Sequence, residues 1–174
     1  MTDRTPIETT ILKTTDKATL DWNQVRDRLA APPPPDTPGG HIPSVLGTAG
    51  PDCRPHLTGV GVRWYNGDLF FLSSPTTHKS RNLAANPACS IAMHLKEFDL
   101  VFDGEATPTW EPHLLEAVGD LVRQSGWPVE LTEGGFTAPF GPPDAGPPWQ
   151  LYRFTFHTAI GQGEHGAIRW RFGE

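Results

Sequence analysis

The start of a predicted helix near the middle of the chain carries side chains that are well suited to bind a phosphate. Ser73, Ser74 and Thr77 offer hydroxyl groups, and Lys79 and Arg81 follow them closely. Lysine supplies a compact charge, and arginine supplies a planar fork that can hold two phosphate oxygens. The amides and the dipole of a helix N-terminus also favour an anion. The sequence therefore predicts an anion site here.

The positions of the two cations support this interpretation. Positive side chains near a helix N-terminus are locally unfavourable unless a bound anion offsets them. They also stand out in an acidic chain, which has 14 Lys and Arg, 20 Asp and Glu and a net charge of -6. Two alternatives stay open: Lys79 and Arg81 could form a solvated helix face, and Asn82 could cap or cross-link a turn instead of contacting a ligand.

Other chemistry has less support in the sequence. The seven histidines are scattered without metal-ligand spacing, so no metal site is predicted. No hydrolase elbow and no dinucleotide or Walker loop is present, the acidic charge argues against nucleic acid, and no apolar run predicts a membrane span. Cys53 and Cys89 are expected to be reduced in a cytoplasmic protein. His56 and His78 are the histidines nearest the anion site, and each could be a proton donor or a plain surface histidine. No catalytic residue is assigned.

The elements that must position this site are mostly strands. Alternating apolar residues and turn signals predict strands over residues 42–48, 56–65, 68–73, 88–95, 100–109, 151–160 and 167–172. Asn66-Gly67 predicts a tight hairpin. Helices are predicted over 78–86 and 111–125. Six or seven strands, mostly joined as hairpins, indicate a closed or nearly closed antiparallel barrel.

Two segments flank this pattern. Residues 1–40 are predicted to be an extension with a short helix on the outside of a domain at 41–174; Asp21 caps that helix, and a proline run over 32–35 ends it. The segment Thr132–Pro148 is too rich in Gly and Pro for a regular element. Because it brings three aromatics, counting Trp149 just after it, we expect an ordered loop that covers another part of the molecule.

The central segment is similar to a known phosphate-binding unit. The strand–helix–strand LFFLSSPTTHKSRNLAANPACSI, with its Lys-x-Arg-Asn-Leu core, resembles that of the pyridoxamine-phosphate-oxidase-like split β-barrel family, in particular an actinobacterial branch with flavin- and deazaflavin-dependent oxidoreductases. Arg54-Pro55-His56-Leu57 before the Asn66-Gly67 turn resembles the first hairpin of the family. The closing GEHGAIRWRF resembles the C-terminal strand of one subgroup. The resemblance covers roughly residues 41–172.

The resemblance implies a mainly β fold, a split antiparallel barrel of six to seven strands with a few helices. It also implies a homodimer with two cofactor sites at its interface. Lys79 and Arg81 would hold the cofactor phosphate, helped by Ser73, Ser74, Thr77 and Asn82. The residues His56, Leu57 and Thr58 would line the ring system. Trp149 or the strand over 169–171 of the partner subunit would close the site.

The implied function is an oxidoreductase that transfers a hydride between FMN or coenzyme F-420 and a small organic substrate, with the two cofactors nearly equally expected. A non-catalytic flavin, deazaflavin or haem carrier is the alternative, and haem is the less expected ligand. The sequence has no second basic cluster for a pyridoxal phosphate group, and Arg169 with Arg171 does not form one. Vitamin B6 oxidation is therefore not predicted.

Overall fold

The computed structural model describes residues 4–32, 41–141 and 145–173. These residues form ten strands and three helices. In chain order they are β1 Glu8–Lys13, α1 Trp22–Ala30, β2 Ile42–Ala49, β3 Pro55–Tyr65, β4 Asp68–Ser73, α2 His78–Ala85, β5 Ala88–His94, β6 Asp99–Pro108, α3 Pro112–Gln124, β7 Glu130–Thr132, β8 Gly135–Thr137, β9 Gln150–Gly163 and β10 Gly166–Arg171.

Six of the strands close into an antiparallel barrel. The sheet runs in the order β1-β10-β9-β4-β3-β2-β5-β6, and β9 also pairs with β6, which closes the ring. The 14 residues of β9 allow it to reach β10, β4 and β6 along one strand. The predicted mainly β split barrel is confirmed. The described residues hold more strands than predicted, because β1 joins the main sheet and β7 and β8 form a separate hairpin.

The barrel interior is filled by every second residue of its strands. Leu46 of β2, Ile91 of β5 and Phe102 of β6 are fully buried, while their sequence neighbours point outward. This alternation is the period-2 signal that predicted the strands, because successive side chains of a strand lie on opposite faces. The Asn66-Gly67 turn between β3 and β4 has both residues at positive φ, 48° and 86°, as predicted.

The N-terminal segment contributes to the barrel core. Asp21 caps α1 as predicted, and its side chain and that of Gln24 form a reciprocal capping box. The Trp22 ring lies 5.6 Å from that of Trp170 and 4.7 Å from that of Phe172. The apolar side of α1 therefore belongs to the core instead of only covering its outside. The helix ends at Ala30, and most of the predicted proline run lies outside the described residues.

A strand that the sequence did not predict precedes α1. β1 pairs with β10, with Glu8 opposite Arg171 and Thr10 opposite Arg169. Before it, the Arg4 guanidinium lies over the Phe156 ring at 4.9 Å and forms an ion pair with Asp68, 3.5 Å between Nε and Oδ1. The extension predicted over residues 1–40 is thus fastened to the barrel through a buried carboxylate, which Arg153 also contacts at 2.7 Å.

A second apolar cluster lies on the outer face of β3, β4 and β9, which we call the covered face. α3 packs there with the residues that follow it; the buried members of the cluster are Phe70, Leu114, Leu115, Val118, Val122, Val129, Phe136 and Leu151. The segment predicted to be irregular over 132–148 includes β8, so that part of the prediction was wrong: a short hairpin forms in spite of the glycines. Residues 142–144 of the segment lie outside the described residues.

The C-terminal end of α3 is fastened to the barrel by a buried cation. Arg63 of β3 donates from Nη2 to Ser125 Oγ at 2.9 Å, just beyond the last turn of the helix. Burial lowers the pKa of Arg63 to about 10. A cation at this end complements the helix dipole.

Two further properties of the described residues bear on the sequence predictions. None of their helices is long and apolar enough to cross a membrane. Both cysteines are free thiols: Cys53 is exposed in the turn before β3, and Cys89 is buried in β5. Burial raises the pKa of the Cys89 thiol to about 12.

Candidate functional site

The barrel opens where β3 and β4 diverge. The two strands pair only beside their turn, where Arg63, Trp64 and Tyr65 of β3 face Phe70, Leu69 and Asp68 of β4. Beyond this point β4 keeps its pairing with β9 as far as Ser73, and β3 keeps its pairing with β2. Among the described residues no strand pairs with the β4 side of β3 over residues 55–62. That edge of β3 therefore presents backbone donors and acceptors.

The helix α2 begins next to this opening. Its N-cap is Thr77, whose Oγ1 accepts a hydrogen bond from the Ser80 amide at 3.3 Å. The Ser73 hydroxyl lies 3.0 Å from Thr77 Oγ1 and 2.8 Å from Ser80 Oγ, so three hydroxyl groups form one cluster at the helix start. The predicted ligands Ser73 and Thr77 thus form hydrogen bonds within the chain that stabilise the start of α2. Sequence reasoning did not single out Ser80.

The two predicted cations lie in the first turns of α2. Arg81 is exposed, and its Nη1 donates to the carbonyl oxygen of Thr76 at 2.5 Å. Its guanidinium is therefore folded back over the residues that precede the helix. Lys79 is half-buried in the first turn and has interactions within the chain. In the turn before the helix, the hydroxyl oxygens of Ser74 and Thr76 lie 3.0 Å apart. This is the place where the sequence predicted an anion.

Asn82 links α2 to the barrel. Its side chain is buried, and Nδ2 donates to Thr48 Oγ1 of β2 at 3.0 Å. The side chain that the resemblance assigned to a phosphate is therefore already bonded within the protein. The alternative that the sequence left open, a cap or cross-link of a turn, differs from this contact, which joins a helix to a strand.

Two histidines meet beside the opening. The rings of His56 on β3 and His78 on α2 lie 4.2 Å apart between centroids, at 47° to each other. His56 Nδ1 is buried, and no described residue offers it a hydrogen-bond partner. Thr58 is half-buried like His56, and Leu57 between them points outward with 71% of its surface exposed. The predicted ring-lining residues thus lie along the open edge of β3.

Trp149 lies elsewhere. The chain enters β9 next to the end of β4, because Gln150 pairs with Ser73. The Trp149 side chain, however, is buried against Trp127 at 5.0 Å between ring centroids, and its Nε1 donates to the Ala145 carbonyl at 2.6 Å. The prediction that Trp149 reaches a flat ligand is therefore not met, because the indole is buried against Trp127 within its own chain.

Residues 40–158 match the family described as pyridoxamine 5'-phosphate oxidase. This chain belongs to that family. A search of curated proteins finds no significant match.

Solved structures show the same fold. A conserved protein of Mycobacterium tuberculosis is 17% identical with a TM-score of 0.61, over 87% of this chain and 90% of that one. A candidate 5-nitroimidazole antibiotic resistance protein from Bacteroides thetaiotaomicron is 11% identical with a TM-score of 0.57, over 99% and 96%. A haem-binding protein from Mycobacterium smegmatis is 17% identical with a TM-score of 0.56; the match covers 76% of this chain and only 53% of that one.

One side of this family member's barrel stays exposed, and we call it the bare face. Across β3, β2, β5, β6 and β9 the strand register aligns one outward row of small and apolar residues, Gly59, Val45, Ala92, Val101 and Ile160. Val45 is 44% exposed. Arg169 continues the row on β10, and its Nε is buried without a hydrogen-bond partner among the described residues.

Proposed function

We propose that this protein is an oxidoreductase that binds FMN or coenzyme F-420 and transfers a hydride between that cofactor and a small organic substrate. The observation that carries the proposal is the opening between β3 and β4 with the start of α2 beside it. There Arg81 and Lys79 lie at a helix N-terminus, and the open edge of β3 lies next to them. Family membership adds support, since the fold family binds flavins of the FMN type.

The residues present fit such a cofactor. A phosphate needs several donors and a positive field. The start of α2 offers Lys79 and Arg81, and the turn before it offers the hydroxyl groups of Ser74 and Thr76. A flat ring with polar edges needs backbone donors and acceptors, which the edge of β3 offers around His56. His56 Nδ1 is a buried polar atom that lacks a partner in the described chain, and a ligand atom would satisfy it.

The bound cofactor would supply the hydride chemistry. The protein would do three things for it. Lys79 and Arg81 would hold its phosphate and so fix its position along β3. The exposed Leu57 would cover one side of the ring, with a second subunit on the other, and exclude water. His56 or His78 could hold the proton that accompanies the hydride to the substrate.

We further propose that the active form is a homodimer with the cofactor at its interface. The bare face supports this, because a row of small and apolar side chains ends at Leu57 and Gly59 beside the cofactor site. A partner pressed against it would bury Val45 and Val101 and would close the opening between β3 and β4 from outside. Arg169, with its unpartnered Nε, would come close to the partner subunit.

The first test is cofactor binding. Fluorescence and absorbance titrations of the purified protein with FMN and with coenzyme F-420 should show saturable binding of at least one of them. The absorbance spectrum of protein purified from a host that makes both cofactors should identify which one. Saturable binding of neither would reject the proposal.

The second test concerns the phosphate. The double variant Lys79→Ala, Arg81→Ala should weaken cofactor binding by about 3 kcal/mol, because two charge-assisted hydrogen bonds are lost. Binding of riboflavin, which lacks the phosphate, should change much less. The matched control is Lys96→Ala, Arg28→Ala. It removes the same charges near the turn between β5 and β6, at the other end of the barrel, where Arg28 lies 3.2 Å from Glu97. Equal affinity in both folded double variants would refute the assignment.

Turnover separates an enzyme from a carrier. Reduced cofactor should be oxidised by enones, quinones or nitroaromatics only when the protein is present. The similarity to a candidate 5-nitroimidazole resistance protein gives nitroaromatics priority. Binding without turnover of any of these would favour a non-catalytic carrier.

A haem carrier is the second candidate. It rests on the paired rings of His56 and His78, since imidazole is a common iron ligand, and on the structural similarity to a haem-binding protein. Titration with haemin should then produce a sharp Soret band that His56→Ala removes. An unchanged haemin spectrum would exclude this candidate.

A further inference from the structure

We propose that the pair of His56 and His78 is the proton-carrying part of the phosphate site: it takes up a proton as a phosphomonoester binds, and so becomes a third cationic group beside Lys79 and Arg81. This inference rests on the proposed cofactor site. It names the ligand chemistry that the site prefers, a phosphate with two negative charges.

His78 lies in the turn of α2 where Arg81 would hold an anion. It is the first residue of α2, and Arg81 lies three residues later, on the same side of the helix. The Arg81 guanidinium is folded back to the Thr76 carbonyl, so it shares the N-terminal turn with His78. An anion held by Arg81 at this turn would therefore lie near the His78 imidazole.

The charged residues near the two histidines are mostly positive. On α2, Lys79 and Arg81 follow His78 within one turn. The turn before β3 adds Asp52 and Arg54, which pair with each other at 3.3 Å. On β2 the residue opposite His56 is the uncharged Thr48. Without an anion, a proton on this pair adds a positive charge to a positive region. A bound phosphate dianion reverses the sign of that interaction, so its binding favours proton uptake.

The contact between the two imidazole rings limits the charge that the pair can carry. With ring centroids 4.2 Å apart, a charge on both imidazoles at once is disfavoured, so the pair would take up a single proton. His56 Nδ1 is buried and unpartnered within the described chain, so it can accept or donate once a ligand arrives. Imidazole gains its proton between pH 5 and pH 8, and a phosphomonoester, whose second pKa is about 6, carries most of its second charge in the upper part of this range.

The pair therefore distinguishes two kinds of phosphate. The phosphomonoester of FMN carries up to two charges, and the phosphodiester of coenzyme F-420 carries one. A third cation should strengthen the binding of the first more than that of the second.

The experiment compares FMN with riboflavin by fluorescence titration at pH 6.5 and pH 8.5. In the wild-type protein the preference for FMN over riboflavin should be about tenfold larger at pH 6.5, because an imidazole takes up a proton more readily at the lower pH. His78→Asn should remove this difference between the two pH values. His78→Lys, which keeps a permanent cation, should retain the large preference at pH 8.5. Calorimetry in buffers of different ionisation enthalpy should show proton uptake with FMN in the wild type and none in His78→Asn.

Three outcomes decide the proposal. Loss of the pH difference and of proton uptake in His78→Asn, with a stronger effect on FMN than on coenzyme F-420, supports it. A folded His78→Asn protein that keeps both the pH difference and the proton uptake overturns it, as does an equal loss for both cofactors. If the wild type binds neither cofactor at either pH, the proposed function itself fails, and the two failures are thereby distinguished.

Discussion

Both outer sides of the barrel carry outward apolar residues, but the chain itself covers them on only one side. On the covered face, the apolar residues of β3, β4 and β9 are buried by α3 and by the segment that contains Phe136. On the bare face, Val45 and Leu57 occupy equivalent outward positions but are 44% and 71% exposed. A strand with outward apolar residues needs a cover on that side. The chain provides one for the first side, and we propose a second copy for the other.

The difference also explains where the candidate site lies. The opening between β3 and β4 is at the border of the two faces, because β3 contributes Tyr65 to the covered face and Leu57 to the bare one. A ligand there would contact the start of α2 on one side and, on the other, the exposed bare face on which we propose a second copy. Cofactor binding and dimer formation should therefore support each other.

The largest expected effect is on the free energy of unfolding, when a buried side chain of the covered face is truncated. Phe136 is 1% exposed, and Phe136→Ala should lower the free energy of unfolding by about 4 kcal/mol, because it leaves a cavity under α3. Urea unfolding monitored by circular dichroism measures this. Phe140, in the same segment and 61% exposed, is the matched control: Phe140→Ala should change the free energy by less than about 0.5 kcal/mol. A small effect of Phe136→Ala would mean that the cover is not part of the cooperative fold.

On the bare face, a charge should affect association and not the monomer. Val45→Arg places a charge in the middle of the apolar row, so it should weaken the dimer by about 2 kcal/mol or more, which is about thirtyfold in the dissociation constant. Sedimentation velocity over a concentration series measures the shift towards monomer.

The control for this variant is Leu131→Arg, since Leu131 is 51% exposed in β7, next to the covered face. It should leave the association unchanged. A wild-type protein that stays monomeric at high micromolar concentration, with and without cofactor, would remove the basis of the comparison.

The smallest expected effect is a difference in reactivity between the two thiols, which tests whether the barrel behind the bare face is rigid. Cys89 points into the core from β5, and with a pKa of about 12 only about one thiol in 10⁴ is ionised at pH 8. A maleimide reagent should therefore modify the exposed Cys53 quickly and Cys89 only after unfolding, as mass spectrometry of peptides would show. Rapid modification of both would indicate that the bare side opens without its partner.

Much of the fold could be predicted because strand alternation is a local property. The bounds of β4, and of β3 to within one residue, followed from apolar periodicity and from the Asn66-Gly67 turn. β1 could not be predicted, since nearly all its residues are exposed and only its pairing with β10 makes it a strand. The hairpin of β7 and β8 was missed for a similar reason: each strand has three residues, too few to show a period.

The candidate site shows the same contrast between local features, which the sequence could predict, and long-range contacts, which it could not. The types of Lys79 and Arg81 and their place at a helix start are local, so the sequence located them. The bond between Asn82 and Thr48 joins residues 34 positions apart, and no spacing rule indicates it. The burial of Trp149 likewise depends on how the chain folds back over α3. The meeting of His56 with His78 depends on the divergence of two strands, which only their register reveals.

The pairing of β1 with β10 has a consequence for how the protein is made. β1 lies far before its partner β10 along the chain, so during synthesis Ile7 and Ile11 emerge before β10 and cannot pair until β10 is complete. Contacts between such distant segments form late and slow the folding reaction. Until then a β-prone apolar segment stays unpaired, which favours association with other nascent chains.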